Sequence, residues 1–158
     1  MIGGDGNDNY EVDDAGDIVS ETDANAGTGG YDSVHSYLNS YTLTDNVENG
    51  RVASNGTANL TGNSLNNVLY AGAGDNILDG STGNDTAAYS YATAGVNVEL
   101  SIAGAQATGG SGWDTVTGIE NLTGSNYNDR LIGNSEANVL SGGVLATTYS
   151  MAEQAPIT

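Results

Sequence analysis

A chain of 158 residues with 2 Lys+Arg against 20 Asp+Glu carries a net charge of −18, and it holds 24 Gly, one Pro, no Cys and no Phe. Disulfides and thiolate metal sites are excluded, the single His35 leaves zinc without its usual ligands, and the charge opposes nucleic acid or an anionic membrane as partner. Leu, Ile, Val and Phe together are 29 residues, below the roughly 20% that separates chains with a core from disordered ones, so something besides apolar burial must oppose the ordering entropy. No 18-residue apolar run and no N-terminal secretory h-region occurs, which predicts no membrane insertion and no cleavable signal. Thirteen Asp and seven Glu supply oxygen ligands for a hard cation such as calcium.

Taken in chain order, the units are glycine-rich nonapeptides separated by looser stretches. GGDGNDNYE occupies 3–11 directly after Met1-Ile2, and a solenoid entered in mid-repeat exposes a raw edge, so the chain reads as part of a longer protein with adjacent domains. GTGGYDSVH follows at 27–35. NVENG at 46–50 recurs as GIENL at 118–122; each precedes a Gly/Asn/Thr stretch and then GNSLNNVL (62–69) or GNSEANVL (133–140). The region 1–143 therefore divides into two related halves, about 1–88 and 89–143. Three nonapeptides run in tandem from 62 to 88: GNSLNNVLY, AGAGDNILD and GSTGNDTAA. The alternation in 87–102 predicts two strands with a turn at Ala94-Gly95. GGSGWDTVT stands at 109–117, GSNYNDRLI and GNSEANVLS fill 124–141, and 144–158 leaves the repeat as a cap or a disordered tail. Gly interrupts nearly every window, so helices are not expected.

These units resemble the calcium-binding nonapeptide repeats G-G-x-G-x-D-x-U-x, with U a large apolar residue, of RTX (hemolysin-type) secreted bacterial proteins. The consensus is complete at Gly3, Gly4, Gly6, Asp8 and Tyr10, and again at Gly109, Gly110, Gly112, Asp114 and Val116. The resemblance implies an all-β fold: a right-handed parallel β-roll, a calcium-stabilised solenoid with strand-rich insertions, in which six residues turn, three form a strand and eighteen make a coil. The chemistry of the places agrees with it. Gly permits positive φ and lets carbonyls converge, Asp at place 6 completes an oxygen cage, and an apolar residue at place 8 points inward from a strand too short to bury it without a stacked neighbour.

By the same resemblance the calcium ligands are the place-6 carboxylates Asp8, Asp32, Asp85, Asp114 and Asp129. Carbonyls of places 1, 3 and 5 join them: Gly3, Asp5 and Asn7; Gly80, Thr82 and Asn84; Gly109, Ser111 and Trp113. Asn67, Asn76 and Asn138 put a neutral amide at place 6, so those loops are expected to be structural, and Leu65, Tyr127 and Glu136 replace the place-4 Gly, which restricts the conformation of their loops. A site shared by loops two nonapeptides apart sets Asp85 over Asn67, and fewer than eight ions are expected from eight loops. His35 with Ser33 or Ser36 lacks partner spacing for catalysis, and Trp113 is expected to pack locally. The function that follows is a calcium-binding structural module, secreted to the cell surface or medium, folding on calcium after export, with no active site of its own. One alternative is the C-terminal module of an extracellular hydrolase or polysaccharide-modifying enzyme; an adhesive or ice-binding role ranks lower.

Overall fold

The computed structural model describes residues 1–23 and 27–143 and the backbone of 149–151, and every regular element among them is a β-strand. In chain order these are β1 (Asn9–Val12), β2 (Ser33–Ser36), β3 (Ser40–Thr42), β4 (Asn49–Val52), β5 (Ala58–Thr61), β6 (Val68–Tyr70), β7 (Asn76–Asp79), β8 (Thr86–Ala88), β9 (Asn97–Glu99), β10 (Gln106–Gly109), β11 (Gly112–Thr117), β12 (Asn121–Thr123), β13 (Arg130–Ile132), β14 (Leu140–Ser141) and β15 (Tyr149–Met151).

From β2 to β8 successive strands alternate between two faces, the winding of a parallel β-roll. The first face is the sheet β1-β2-β4-β6-β8-β12-β14, parallel throughout. The second runs β3-β5-β7-β11 in parallel. Residues eighteen apart pair where the nonapeptides are unbroken, as in Val68 with Thr86, Asn59 with Ile77 and Leu122 with Leu140.

Place-8 side chains point into the roll. Tyr10, Val34, Leu69, Leu78, Ala87, Val116 and Leu131 are all buried, and register stacks Tyr10 on Val34, Leu69 on Ala87 and Leu78 on Val116. Gly50 occupies this column in β4, where a Cβ would meet Leu60 Cδ2 at 2.9 Å; its missing side chain makes room for a leucine from the other face. A regular coil thus buries about four apolar side chains, half of them alanine, as with Ala58, Leu60, Leu69 and Ala71; a buried leucine contributes about 1.5–3 kcal/mol, while every ordered residue costs about 1–2 kcal/mol of backbone entropy.

The register departs from eighteen at β1–β2, where Asn9 pairs with Ser33, and departs furthest at an insertion between the halves. On the first face β8 pairs directly with β12, Thr86 opposite Asn121. On the second, β9 joins β13 and β15, while β10 turns back antiparallel to β11 and bridges to Val96 beside β9. The two strands expected in 87–102 are β8 and β9, and they lie in different sheets. The complete consensus at 109–117 needs a correction: it is entered from β10 as an antiparallel hairpin turn, with Gly109 at φ 77 and Gly112 at φ 89, and not from a preceding coil. The residues expected to form a tail, 144–158, lie outside the described residues except the backbone of β15, which extends the repeat by pairing with β13.

Candidate metal centres

Parallel register brings the turns before successive first-face strands into one column. In register with one another at the entry to these strands stand Asp8, Asp32, Glu48, Asn67, Asp85, Glu120 and Asn138. The corresponding column on the second face contains Asn76 and Asp114, with Asp129 beside Val96 farther along.

These turns exist in two hydrogen-bonding states. In the closed state the place-2 N–H donates to the place-6 side chain of its own loop: Asn63 to Asn67 Oδ1, Gly72 to Asn76 Oδ1 and Asn134 to Asn138 Oδ1, each at 2.8 Å, and Ser125 to Asp129 Oδ2 at 2.9 Å. The three amides then donate to carbonyls one coil back, Asn67 to Val47, Asn76 to Ala58 and Asn138 to Glu120. Asp129 departs from the other place-6 Asp residues, because its second oxygen also has partners, the Val96 N–H at 2.9 Å and the Ser125 hydroxyl at 2.6 Å.

In the open state the place-4 residue is a Gly at positive φ: Gly6 (95°), Gly30 (97°), Gly83 (144°) and Gly112 (89°). Backbones of stacked turns touch there, since a Cβ on Gly30 would meet Gly6 O at 2.6 Å and one on Gly112 would meet Gly74 O at 2.9 Å. The place-6 carboxylate reaches back to the turn beneath: Asp32 Oδ1 accepts from Asp8 N at 2.8 Å, Asp85 Oδ1 from Asn67 N at 2.7 Å, and Asp114 Oδ1 from Asn76 N at 2.8 Å. Asp85 lies over Asn67, as the eighteen-residue coil requires.

The second oxygens of Asp32 and Asp85 are buried and have no hydrogen-bond partner, although neither side chain has exposed surface. Burial holds both carboxyls above the ordinary range, against the pull of the backbone N–H donors. A buried carboxylate oxygen left without a donor is costly unless a cation meets it, and every group converging here offers oxygen, which fits a hard ion. Asp114 differs, because its Oδ2 accepts from the Thr108 hydroxyl at 2.9 Å; burial pushes its carboxyl up to about 6.

Among the expected carbonyl donors, Asp5 and Thr82 are exposed and Gly3 and Gly80 lie in their turns beside Asp8 and Asp85. Asn7 Oδ1 accepts from Tyr31 N, and Asn84 accepts from the Asn121 amide, so those side chains bind stacked turns together. Ser111 donates to Gly72 O and Trp113 N–H to Asp75 Oδ1, fastening the hairpin to the 71–79 turn. The Trp113 ring is 59% exposed, contrary to the expected local packing. His35 sits on β2 with Nδ1 2.9 Å from Glu11 Oε1.

Two acids of the first-face column, and Glu21 outside it, were not among the expected ligands. Glu48 Oε2 accepts from Asp32 N at 2.8 Å and Glu120 Oε2 from Asp85 N at 2.7 Å. The neighbouring Asn49 and Asn121 amides donate to the Asp32 and Asp85 carbonyls, each at 3.1 Å. The recurrence of NVENG as GIENL is the sequence trace of this arrangement. Glu21, buried beside Asp8 and Asp32, has no such trace.

Comparison with protein families places the RTX calcium-binding nonapeptide repeat, in four copies, at residues 52–87 and 117–144. These two segments match the RTX calcium-binding nonapeptide repeat. The matched segments stop on either side of the β9–β10 insertion, where the roll itself departs from its eighteen-residue period. Comparison with curated proteins and with solved structures gives no match. The RTX repeats bind calcium, and among the described residues no helix is long and apolar enough to cross a membrane.

Proposed function

We propose that residues 1–143 form one calcium-dependent roll that serves as a structural module and folding switch of a secreted protein, with its calcium ions held at open turns. The observation that carries this reading is the pair of fully buried, unpartnered oxygens, Asp32 Oδ2 and Asp85 Oδ2. Asp8, Asp32 and Asp85 are the principal ligands, with carbonyls of their own and stacked turns. Glu48 and Glu120 hold the turns by accepting the Asp32 and Asp85 N–H groups. Asp129 is a turn cap, and Asp114 with Gly109, Ser111 and Trp113 secures the hairpin.

The magnitudes suit a switch. At a Kd of about 10⁻⁴ M, typical of extracellular modules, calcium near 10⁻³ M stabilises by roughly 1.4 kcal/mol per site. Two such sites, one at Asp8 and Asp32 and one at Asp85, contribute about 3 kcal/mol, a large share of a domain's net stability of about 5–15 kcal/mol. Where calcium is scarce the charge of −18 and the thin core favour an extended chain, which suits export before folding. The deciding experiment is a far-UV circular dichroism and light-scattering titration with calcium after exhaustive chelation. A cooperative rise of β signal with compaction is expected; a compact β spectrum unchanged in metal-free protein would overturn the reading.

A further inference from the structure

We propose that Asp8, Glu21 and Asp32 form a three-carboxylate calcium site, the tightest in the chain, which fastens the 13–23 segment across the β1 edge of the roll. This rests on the calcium reading above and adds a ligand from outside every nonapeptide, in a region outside the matched family segments.

One oxygen from each of the three carboxylates lies within 4.8 Å of the others. Asp32 contributes a side chain with no exposed surface and an oxygen without a partner, and Glu21 is buried as well. The Tyr10 hydroxyl donates to Glu21 Oε1 and the Gly4 N–H to Oε2 at 3.3 Å, which aim the carboxylate at the turn. Three converging acids with so few donors repel one another until a cation joins them. Elsewhere an open turn has its acids already engaged: beside Asp85, Glu120 accepts the Asp85 N–H and Asp79 the Ser81 N–H, and Asp114 has a hydroxyl and an N–H donating to it. Affinity for calcium rises with the number of charged ligands, so this site fills first.

Its position couples binding to the end of the roll. The Glu21 carbonyl accepts from the Asn46 amide at 3.1 Å, Ser20 N–H donates to Met1 O at 3.0 Å, and Ile2 bridges in parallel to Ser20. Through Glu21 the ion ties this segment to the turns of β1 and β2, covering part of an edge whose backbone groups otherwise invite pairing with another chain.

Terbium replaces calcium at oxygen sites and luminesces when excited through a nearby phenol, and Tyr10 touches a ligand of this site. In the full chain the first equivalent of terbium should give emission excited through tyrosine and displaced by calcium. Tyr10→Phe should remove most of that emission. Glu21→Gln should weaken the first calcium step in calorimetry at least about tenfold, with the circular dichroism spectrum in saturating calcium retained, whereas Glu136→Gln, which removes an exposed charge far along the chain, should not. An unchanged first step in Glu21→Gln overturns the proposal while leaving the calcium reading intact; wild-type protein that binds no calcium at all overturns both. If Glu21→Gln fails to fold, hydrogen exchange on the wild type decides: amides of 13–23 protected by the first equivalent of calcium support the site, and protection independent of calcium removes it.

Discussion

The N–H of Ser81 donates to Asp79 Oδ1 at 3.0 Å, and not to Asp85 four residues farther on. In the preceding first-face turn the equivalent N–H, from Asn63, does close onto Asn67 at 2.8 Å. Ser81 turns its N–H away because it sits in the left-handed region, φ 69, and this is what leaves Asp85 Oδ2 for an ion. Left-handed backbone costs a non-Gly residue about 1 kcal/mol or more. Ser81→Gly should therefore raise thermal stability by up to about 1 kcal/mol and preserve the ion, and Ser81→Val should lower it by at least as much; melts at fixed calcium check both signs.

Ion count should follow turn state more closely than the identity of the acid. Asp85→Asn should cost one calcium ion. Asp129→Asn should cost none, because both oxygens of Asp129 already hold protein donors. Asn76→Ala should also leave the count unchanged, yet destabilise by about 1–3 kcal/mol by leaving the Gly72 N–H and the Ala58 carbonyl unpaired. Calorimetric titration beside equilibrium unfolding separates these outcomes, and loss of an ion in Asp129→Asn would show that closed turns bind metal.

Gly30 admits no side chain on two counts, a φ of 97° and a Cβ position 2.6 Å from Gly6 O. Gly30→Ala should cost about 1–3 kcal/mol and weaken calcium binding at Asp8 and Asp32 by separating their turns. Gly56→Ala is the comparison: Gly56 has neither a positive φ nor a neighbour within 4 Å, and its variant should be close to neutral.

Calcium-free protein should be more stable at pH 5 than at pH 7.5. Burial raises the carboxyls of Glu21, Asp32, Glu48, Asp85 and Asp114, the last to about 6, so the folded chain keeps protons that the unfolded chain has released. Stability from these groups is fully present below their unfolded values, roughly 4, and is lost as pH rises through the folded values. Calcium competes with the same protons, and its addition should flatten or reverse the slope. Thermal melts across this range, with chelator and with calcium, test the sign; a calcium-free melting temperature rising steadily from pH 5 to 7.5 would contradict it.

The nonapeptides carried the resemblance that implied the parallel roll and the stacking of Asp85 over Asn67, and the inward place-8 residues followed from the residues themselves, because a strand so short buries its apolar residue only against a stacked neighbour. The sequence marked Asn67, Asn76 and Asn138 only as weaker calcium ligands; that their amides donate to carbonyls one coil back came from the stacked turns. What the sequence left undecided depends on groups far apart along it. GGSGWDTVT satisfies every consensus position, yet it forms a hairpin turn because β10, and not a preceding coil, delivers it to the edge of β7. Asp129 shares place 6 with the other acids, but its loop has Tyr127 in place of the Gly, and the fold brings Ser125 and Val96 within reach of its oxygens. Glu21 carries no motif at all; it meets Asp8 and Asp32 because the chain crosses the β1 edge and bridges to Ile2. Local spacing sets turns and strands through short-range sterics, whereas the charge and donors around a buried carboxylate are contributed by whichever turns the fold stacks upon it.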